Sequence, residues 1–440
     1  MTPTATKALR ILSTPTRWIS PWYNAYALLG AVSSGLVPVL LPLMIVAASH
    51  RIAWVGYIMG GFNLGLLSSP LWGVLADKRR LHRSIFFTGL VLVLIALGAL
   101  PWLNGLVPWL LAALLSGAGT AAATTMATLF IVEFTPRTDW EPRIGWLQSF
   151  NGAGQVAGLL LAGYFASRFN LGLWVSAALM VPALLVGRVG LPSTTAPRRP
   201  TGETLHHLHR LDFHLFAAFA RTEFQGGGLL HAFHPLTLHS LRQAGKLLPT
   251  TFGRFLTSWF ALSFGVAAFF AYFPIAMHAA YGVTPATTSL MYAVAAGIGV
   301  ALYTYASHLS TRFGAGAVYR AGLIVRFAGF ALLLALLFLP ARYGALASAG
   351  FILIIIAWPI LSVTGTDLSA ELSPLSEGTA MGLFNASAAI ATVLGTFLGG
   401  ALVHAYGYAA LSLLALTGIA LAFALGLGLI PPAHSESPQI

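Results

Sequence analysis

The densest group of charged side chains lies in the stretch GVLADKRRLHR, between two long apolar runs. It holds one acid and four basic residues: Asp77, Lys78, Arg79, Arg80 and Arg83. Such side chains form ion pairs and bind helix termini or lipid headgroups. Catalysis on lipid would need clustered acids, histidines or a metal set near one interface, and we find none outside the central linker. We therefore expect no enzyme, and no cofactor or metal site.

The acidic residues are the candidates for binding and releasing protons. The chain has eleven of them, at helix ends, in loops or in the C-terminal tail: Asp77, Glu133, Asp139, Glu141, Glu203, Asp212, Glu223, Asp367, Glu371, Glu377 and Glu436. None falls at the centre of an apolar run, where a proton carrier is usually found. We interpret Glu133 and Asp367, the two nearest the membrane interior, as partners of loop arginines.

Polar and aromatic side chains within the apolar runs are candidates for a solute cavity. They are Asn63, Thr120, Thr124, Asn151, Gln155, Tyr292, Arg326, Trp358 and Asn385. Each is also suited to an interhelical hydrogen bond. Arg326 is the one charge within a predicted span, where it either contacts solute or snorkels and binds backbone carbonyls. So few charges favour a neutral or amphipathic solute.

The composition indicates an integral membrane protein. Hydrophobic residues make up 57% of the chain and charged residues 8%, and the mean hydropathy is +0.82, whereas soluble chains carry about a quarter charged residues. Long charge-free runs favour helices over a β-barrel, whose strands alternate polar and apolar residues. Cysteine is absent, which excludes disulfides and thiolate sites.

The apolar runs predict twelve membrane helices in two sets of six. The first set covers 22–48, 52–75, 84–103, 107–132, 144–167 and 170–189, and the second 256–279, 285–308, 317–339, 343–366, 379–403 and 407–430. The predicted domains are an N-terminal six-helix bundle (1–190), a cytoplasmic linker (191–254) and a C-terminal six-helix bundle (255–440). The linker holds seven histidines, which we interpret as a solvated or lipid-facing loop: His206, His207, His209, His214, His231, His234 and His239.

The basic residues predict the orientation of these helices. With both termini in the cytoplasm, every Lys and Arg lies on the inner side except Arg51, Arg168, Arg342 and the intramembrane Arg326. This is the positive-inside pattern, and we predict a bacterial-type inner membrane. The formal net charge of +12 therefore reflects topology, and we expect lipids as partners and no nucleic acid.

Helices 5 and 11 share a glycine pattern. Placed over one another with an offset of 237 residues, GWLQSFNGAGQVAGLLLAG (from Gly145) and GLFNASAAIATVLGTFLGG (from Gly382) align several glycines. We predict helix packing at Gly145, Gly154, Gly158, Gly163, Gly395, Gly399 and Gly400. Parallel repeats are common in transporters, although glycine-rich packing alone produces similar patterns.

The chain resembles the major facilitator superfamily over essentially its whole length. The family's G-x-L-A-D-R-x-G-R-K/R loop between helices 2 and 3 is matched by Gly73, Leu75, Ala76, Asp77, Lys78 and Arg83, with Arg80 where glycine is usual. The resemblance implies two bundles that alternate in access to a central site. It also implies a latch on the cytoplasmic side. In this latch the loop arginines pair with Glu133, and Asp77 contacts the N-terminus of a helix in the other half.

The resemblance further suggests the efflux branch. Its helix 5 pattern G-x8-G-x3-G-P-x2-G-G is met at Gly145, Gly154, Gly158 and Gly163, but Leu159 replaces the proline. We expect a monomer that exports a small solute. The alternatives are a facilitator, an uptake symporter, or a receptor or scaffold of the same fold that transports nothing.

Overall fold

The protein is described by a computed structural model that covers residues 18–79, 81–136, 139–191, 249–375 and 377–429. Within these ranges the side chains of 74, 77–79, 133, 141, 304 and 377–379 are not described. The described chain is helical throughout, with short connecting turns. This confirms the predicted all-α class.

The N-terminal half contains helices α1 to α6. Their bounds are Tyr23–Ser49 (α1), Ala53–Leu66 and Ser69–Arg79 (α2), His82–Trp102 (α3), Leu106–Phe134 (α4), Trp140–Phe165 (α5), and Phe169–Ala178 and Met180–Gly190 (α6). Residues Ala31–Leu36 of α1 form a π-helical segment. The C-terminal half contains Thr251–Tyr281 (α7), Pro285–Phe313 (α8), Ala315–Leu336 (α9), Gly344–Glu371 (α10), Glu377–Tyr406 (α11) and Ala409–Gly426 (α12).

Ten of these helices are long and apolar enough to cross a membrane, by length and composition. The exceptions are α2, which is interrupted between Leu66 and Ser69, and α5, whose sequence carries Arg143, Gln148 and other polar residues. The chain is a multi-pass integral membrane protein. That α2 and α5 also cross remains a prediction.

Two helices, α5 and α7, begin about one turn earlier than the sequence predicts. Helix α7 starts at Thr251 because the side chain of Thr250 caps it, accepting a hydrogen bond of 3.1 Å from the backbone N–H of Gly253. Arg254, placed in the linker by the sequence, therefore lies in the first turn of α7. Helix α5 starts at Trp140. Residues 192–248, with the predicted linker histidines, lie outside the described residues.

Glycine contacts show that the two halves repeat one packing scheme. A Cβ added to Gly158 on α5 would strike the carbonyl of Ala31 on α1, and one added to Gly395 on α11 would strike the carbonyl of Phe264 on α7. Gly158 and Gly395 are the pair aligned by the sequence offset. Close helix approach at equivalent glycines supports a structural repeat, because chance glycines need not face equivalent helices.

The remaining predicted packing glycines also lie at or near helix contacts. A Cβ at Gly154 would strike Ala27 of α1, and one at Gly399 would lie 2.9 Å from Ala268 of α7. Gly145 is buried near the start of α5. Gly163 and Gly400 contact the opposite bundle.

Candidate functional site

The two bundles meet at the end of the molecule that carries the α1–α2, α5–α6, α7–α8 and α11–α12 turns, which we call the closed rim. On one side, Gly400 of α11 packs against Ala53 and Gly56 of α2, so that a Cβ at Gly400 would lie 2.7 Å from the carbonyl of Ala53. On the other, a Cβ at Gly163 of α5 would lie 3.2 Å from the carbonyl of Ala286 on α8. Equivalent small residues thus close both sides.

Tyr272 of α7 ties the bundles together at the closed rim. Its hydroxyl accepts a hydrogen bond of 2.8 Å from the backbone N–H of Gly56 and donates one of 3.0 Å to the carbonyl of Ile52. Both partners belong to the start of α2 in the opposite bundle. Because Tyr272 is fully buried, these bonds are protected from competition by water.

Asn63 forms a second hydrogen-bonded link between the bundles. Its amide donates to the hydroxyl of Thr396 on α11 at 3.1 Å, and the residue is 7% exposed. The sequence analysis placed Asn63 in the solute cavity. The structure places it in the contact between α2 and α11, because this face of α2 packs directly on the other bundle.

A polar cluster lies where α1, α4 and α5 meet. The hydroxyl of Tyr26 faces the side chains of Gln148 and Thr124. Tyr26 Oη, Thr124 Oγ1 and Gln148 Oε1 are shielded from solvent, and none forms a hydrogen bond of standard geometry with the described residues. Asn151, one turn along α5, donates a long bond of 3.5 Å to the carbonyl of Tyr26. Of the predicted cavity residues, Thr124 and Asn151 therefore come together here.

Two other predicted residues of the N-terminal bundle are buried. The hydroxyl of Thr120 donates a hydrogen bond of 2.9 Å to the carbonyl of Ser116. Both residues belong to α4, so this bond lies within one helix. Gln155 is 3% exposed on α5. Whether they face a solute remains a prediction.

Tyr292 lies in an aromatic group inside the C-terminal bundle. Its ring centroid is 5.5 Å from that of Phe273, 6.1 Å from that of Phe270 and 6.0 Å from that of Phe351. This packing on α7 and α10 explains its burial. Tyr292 therefore packs within the C-terminal bundle; its place in a solute cavity remains a prediction.

Arg326 and Trp358 lie side by side in the C-terminal bundle. The guanidinium carbon of Arg326 is 5.4 Å from the ring centroid of Trp358 and 5.8 Å from that of Phe270. Arg326 is completely buried, so it does not snorkel to the membrane surface as one interpretation of the sequence required. Cation–π contacts contribute more when they are shielded from water, which favours this inward orientation.

Trp358 also stacks on Trp259 of α7. The two ring centroids are 5.9 Å apart, and Trp259 in turn stacks on Phe384 of α11 at 4.5 Å. The indole N–H of Trp259 is buried and has no hydrogen-bond partner among the described residues. Asn385, next to Phe384, is half-buried.

Most of the predicted cytoplasmic latch lies outside what the structure describes. The side chains of Asp77, Lys78, Arg79 and Glu133 are not described, and Arg80 lies outside the described residues altogether. Arg83 donates a hydrogen bond of 2.6 Å to the carbonyl of Arg188 in the last turn of α6. The last carbonyls of a helix have no partner within it, so Arg83 joins α3 to α6 within its own bundle.

Asp367 is more buried than its position near a helix end suggested. Helix α10 continues to Glu371, and the carboxylate of Asp367 accepts a hydrogen bond of 2.7 Å from the hydroxyl of Ser310 on α8. The residue is 9% exposed. Ser310 is thus one partner of Asp367; that a loop arginine is another remains a prediction.

Four residues at these contacts were not singled out by the sequence analysis: Tyr26, Gln148, Trp259 and Tyr272. The repeat carries a signal for three of them. Since Ala31 and Phe264 occupy equivalent places, counting back five residues from each pairs Tyr26 with Trp259. The offset that aligns Gly158 with Gly395 pairs Gln148 with Asn385. For Tyr272 we find no sequence signal.

Comparison with known proteins agrees with this architecture. The family described as the Major Facilitator Superfamily matches residues 23–377 and again 259–440. A single-residue mutant of the nucleoside transporter NupG has the same fold, with a TM-score of 0.69, 15% identity, and coverage of 93% of this chain and 98% of that chain. A second NupG structure has a TM-score of 0.66 and 16% identity, and the match covers 93% of this chain and 96% of that chain.

No curated protein matches the chain in sequence. The similarity to NupG establishes the fold alone, because so low an identity does not transfer a substrate. The family match, in contrast, extends over most of the chain and includes both six-helix halves. The chain therefore belongs to the major facilitator superfamily.

Proposed function

We propose that the protein is a secondary transporter that exports a small, neutral or amphipathic solute by alternating access. The observation that carries the proposal is the closed rim, where the bundles touch through glycines and a few hydrogen bonds such as Asn63–Thr396. These contacts can separate without breaking either bundle. A transporter needs such a separable contact, whereas a rigid scaffold does not.

The predicted topology determines on which side of the membrane the closed rim lies. With both termini in the cytoplasm, the rim is extracytoplasmic, so a molecule in which this rim is closed would open toward the cytoplasm. The charged loop from Asp77 to Arg83, with Glu133, then belongs to the opposite rim. We propose that these charges pair when the cytoplasmic side closes, in a monomer embedded in an inner membrane.

Nucleosides are the first solutes to test. They are uncharged and amphipathic, as the scarcity of buried charge favours, and solved structures with this fold include those of the nucleoside transporter NupG. Export is the proposed direction, because α5 carries most of the glycine pattern of efflux members. Import of the same solute is the alternative that the assay must separate.

Flux in liposomes containing the purified protein tests the proposal. The panel comprises uridine, adenosine and cationic dyes, each loaded inside or outside, with and without a pH gradient. The chain has no cysteine, so an Asn63→Cys/Thr396→Cys variant forms a bond across the rim only when oxidised. We expect flux that stops on oxidation and returns on reduction.

The outcomes separate the alternatives. Flux that follows the pH gradient indicates proton coupling, and gradient-independent flux indicates a facilitator. Flux that persists in the oxidised variant contradicts alternating access. Absence of flux for every solute, with a folded protein, supports the receptor or scaffold interpretation and refutes the proposal.

A further inference from the structure

We infer that the solute is recognised by two equivalent but chemically different positions, one in each bundle. Tyr26 of α1 and Trp259 of α7 occupy corresponding places in the repeated packing scheme. The first lies in a hydrogen-bonding cluster and the second in an aromatic stack. This inference rests on the proposed transport function and specifies the chemistry of its solute.

Helices α1 and α7 both border the contact between the bundles. The part of α1 that touches α7 is Val37–Ser49, toward the closed rim. Tyr26 lies about three helical turns before Val37. On α7, Trp259 lies at a similar distance before Tyr272, the residue that contacts the closed rim. Both residues therefore lie on the side of the molecule away from the closed rim, where a solute entering between the bundles would arrive.

The N-terminal position has unused hydrogen-bonding capacity. The Tyr26 hydroxyl is within reach of Thr124 and Gln148, but Tyr26 Oη, Thr124 Oγ1 and Gln148 Oε1 are buried and none forms a hydrogen bond of standard geometry with the described residues. Buried polar atoms that are incompletely hydrogen-bonded cost up to about 1–3 kcal/mol each, and native structures contain few of them. Three together mark a place suited to a further polar group. Thr124 is half-buried, which gives the cluster an exposed edge.

The cluster is suited to an uncharged group that donates hydrogen bonds. A glutamine carbonyl oxygen only accepts, while the two hydroxyls both donate and accept. Arg143, on the first turn of α5, forms an ion pair of 3.8 Å with Asp139. The three polar groups of the cluster are themselves uncharged, so the cluster is suited to a neutral hydroxylated group.

The C-terminal position offers the complementary chemistry. The indole N–H of Trp259 only donates, and it has no partner among the described residues. Its neighbours Trp358 and Phe384 are aromatic and stack on the same indole. This position is suited to the edge of a flat ring that carries a carbonyl or ring nitrogen as an acceptor.

The two positions together define a solute class. It is an uncharged molecule with a heteroaromatic ring bearing acceptors at one end and hydroxyl donors at the other, as in a nucleoside. The pseudo-symmetric scaffold would bind such a solute in one orientation, with hydroxyls toward Tyr26 and the ring toward Trp259.

Binding of uridine and 2′,3′-dideoxyuridine to the purified protein tests this assignment. We expect the wild type to bind uridine more tightly. Tyr26→Phe should weaken uridine binding about 5-fold, the effect of one neutral hydrogen bond, and leave dideoxyuridine binding unchanged. Trp259→Phe should weaken the binding of both. The midpoint of thermal unfolding of the solute-free Tyr26→Phe variant should stay level or rise, because that hydroxyl forms no hydrogen bond of standard geometry.

Tyr319→Phe is the matched control, since the Tyr319 hydroxyl is paired with Ser258 at 3.0 Å. It should lower the unfolding temperature and leave both affinities unchanged. The assignment is wrong if Tyr26→Phe destabilises the solute-free protein without affecting uridine, which would identify a structural cluster holding buried water. It is also wrong if the wild type binds neither uridine nor dideoxyuridine while transporting another solute. Absence of all transport instead refutes the proposed function.

Discussion

Replacing Tyr272 with phenylalanine should open the closed rim. The hydroxyl forms two hydrogen bonds to α2 across the bundle boundary, of 2.8 and 3.0 Å, and the substitution removes both while keeping the ring. A typical hydrogen bond contributes about 1 kcal/mol net, so the closed conformation should lose about 2 kcal/mol. That corresponds to about a 30-fold shift in the ratio of closed to open molecules.

Distances between spin labels on the two bundles measure this shift. Trp102 and Tyr406 are each 75% exposed and lie at the closed rim in opposite halves, and the absence of native cysteine allows Trp102→Cys and Tyr406→Cys to be labelled alone. Double electron–electron resonance should show one short distance in the wild type. In the Tyr272→Phe background a longer distance should gain population.

The control removes the same group from a contact within one bundle. The Tyr281 hydroxyl donates to the carbonyl of Leu333 at 2.9 Å, so Tyr281→Phe should destabilise the C-terminal bundle and leave the label distance unchanged. If Tyr272→Phe and wild type give the same distribution, the hydroxyl does not hold the rim. If both variants lengthen the distance, the effect is a general loosening.

Three further changes have defined outcomes. Gly158→Ala should lower the free energy of unfolding by about 1–3 kcal/mol, because the new methyl group meets backbone of α1, whereas Gly152→Ala, with nothing within 4 Å, should match wild type in chemical denaturation. Ser310→Ala should destabilise by about 1.5–3 kcal/mol because it removes a bond to a buried carboxylate, and unchanged unfolding would show that Asp367 does not depend on it. Tags at the two termini should both be accessible only from the cytoplasm, and accessibility from opposite faces would overturn the topology.

The helices and their grouping were predictable because burial in lipid leaves a strong local signal. Runs of about 20 apolar residues are expected to span the membrane. The glycines of α5 and α11 indicate close helix packing, because they lack a side chain that would keep the neighbouring helix away. The break in α2 and the early start of α7 were missed, because each depends on one or two polar residues rather than on hydropathy.

The contacts at the site were less predictable because they depend on how each helix is rotated and which helix it meets. Asn63 and Tyr292 looked alike as polar groups in apolar runs, yet one links the bundles and the other lies in a bundle core. Tyr272 is separated from Gly56 by more than two hundred positions in the chain, so nothing local in the sequence pairs them. The repeat is the one source of long-range information, since it transfers a contact from one half to the other.

The chemistry of the closed rim limits how strongly it can be held. Glycine contacts supply close packing but little side-chain burial, and the described hydrogen bonds of Tyr272 and Asn63 contribute about 1 kcal/mol each. Shifting a two-state equilibrium from 1:99 to 99:1 takes about 5.5 kcal/mol of differential binding free energy. A ligand of micromolar affinity has a total binding free energy of about 8 kcal/mol, which is larger than this requirement. A solute that binds between the bundles can therefore supply enough free energy to exchange one closed rim for the other, provided that it contacts both bundles at once. A rim built from large interlocking side chains would exceed that range, so small residues at Gly56, Gly163 and Gly400 are what solute-driven exchange requires.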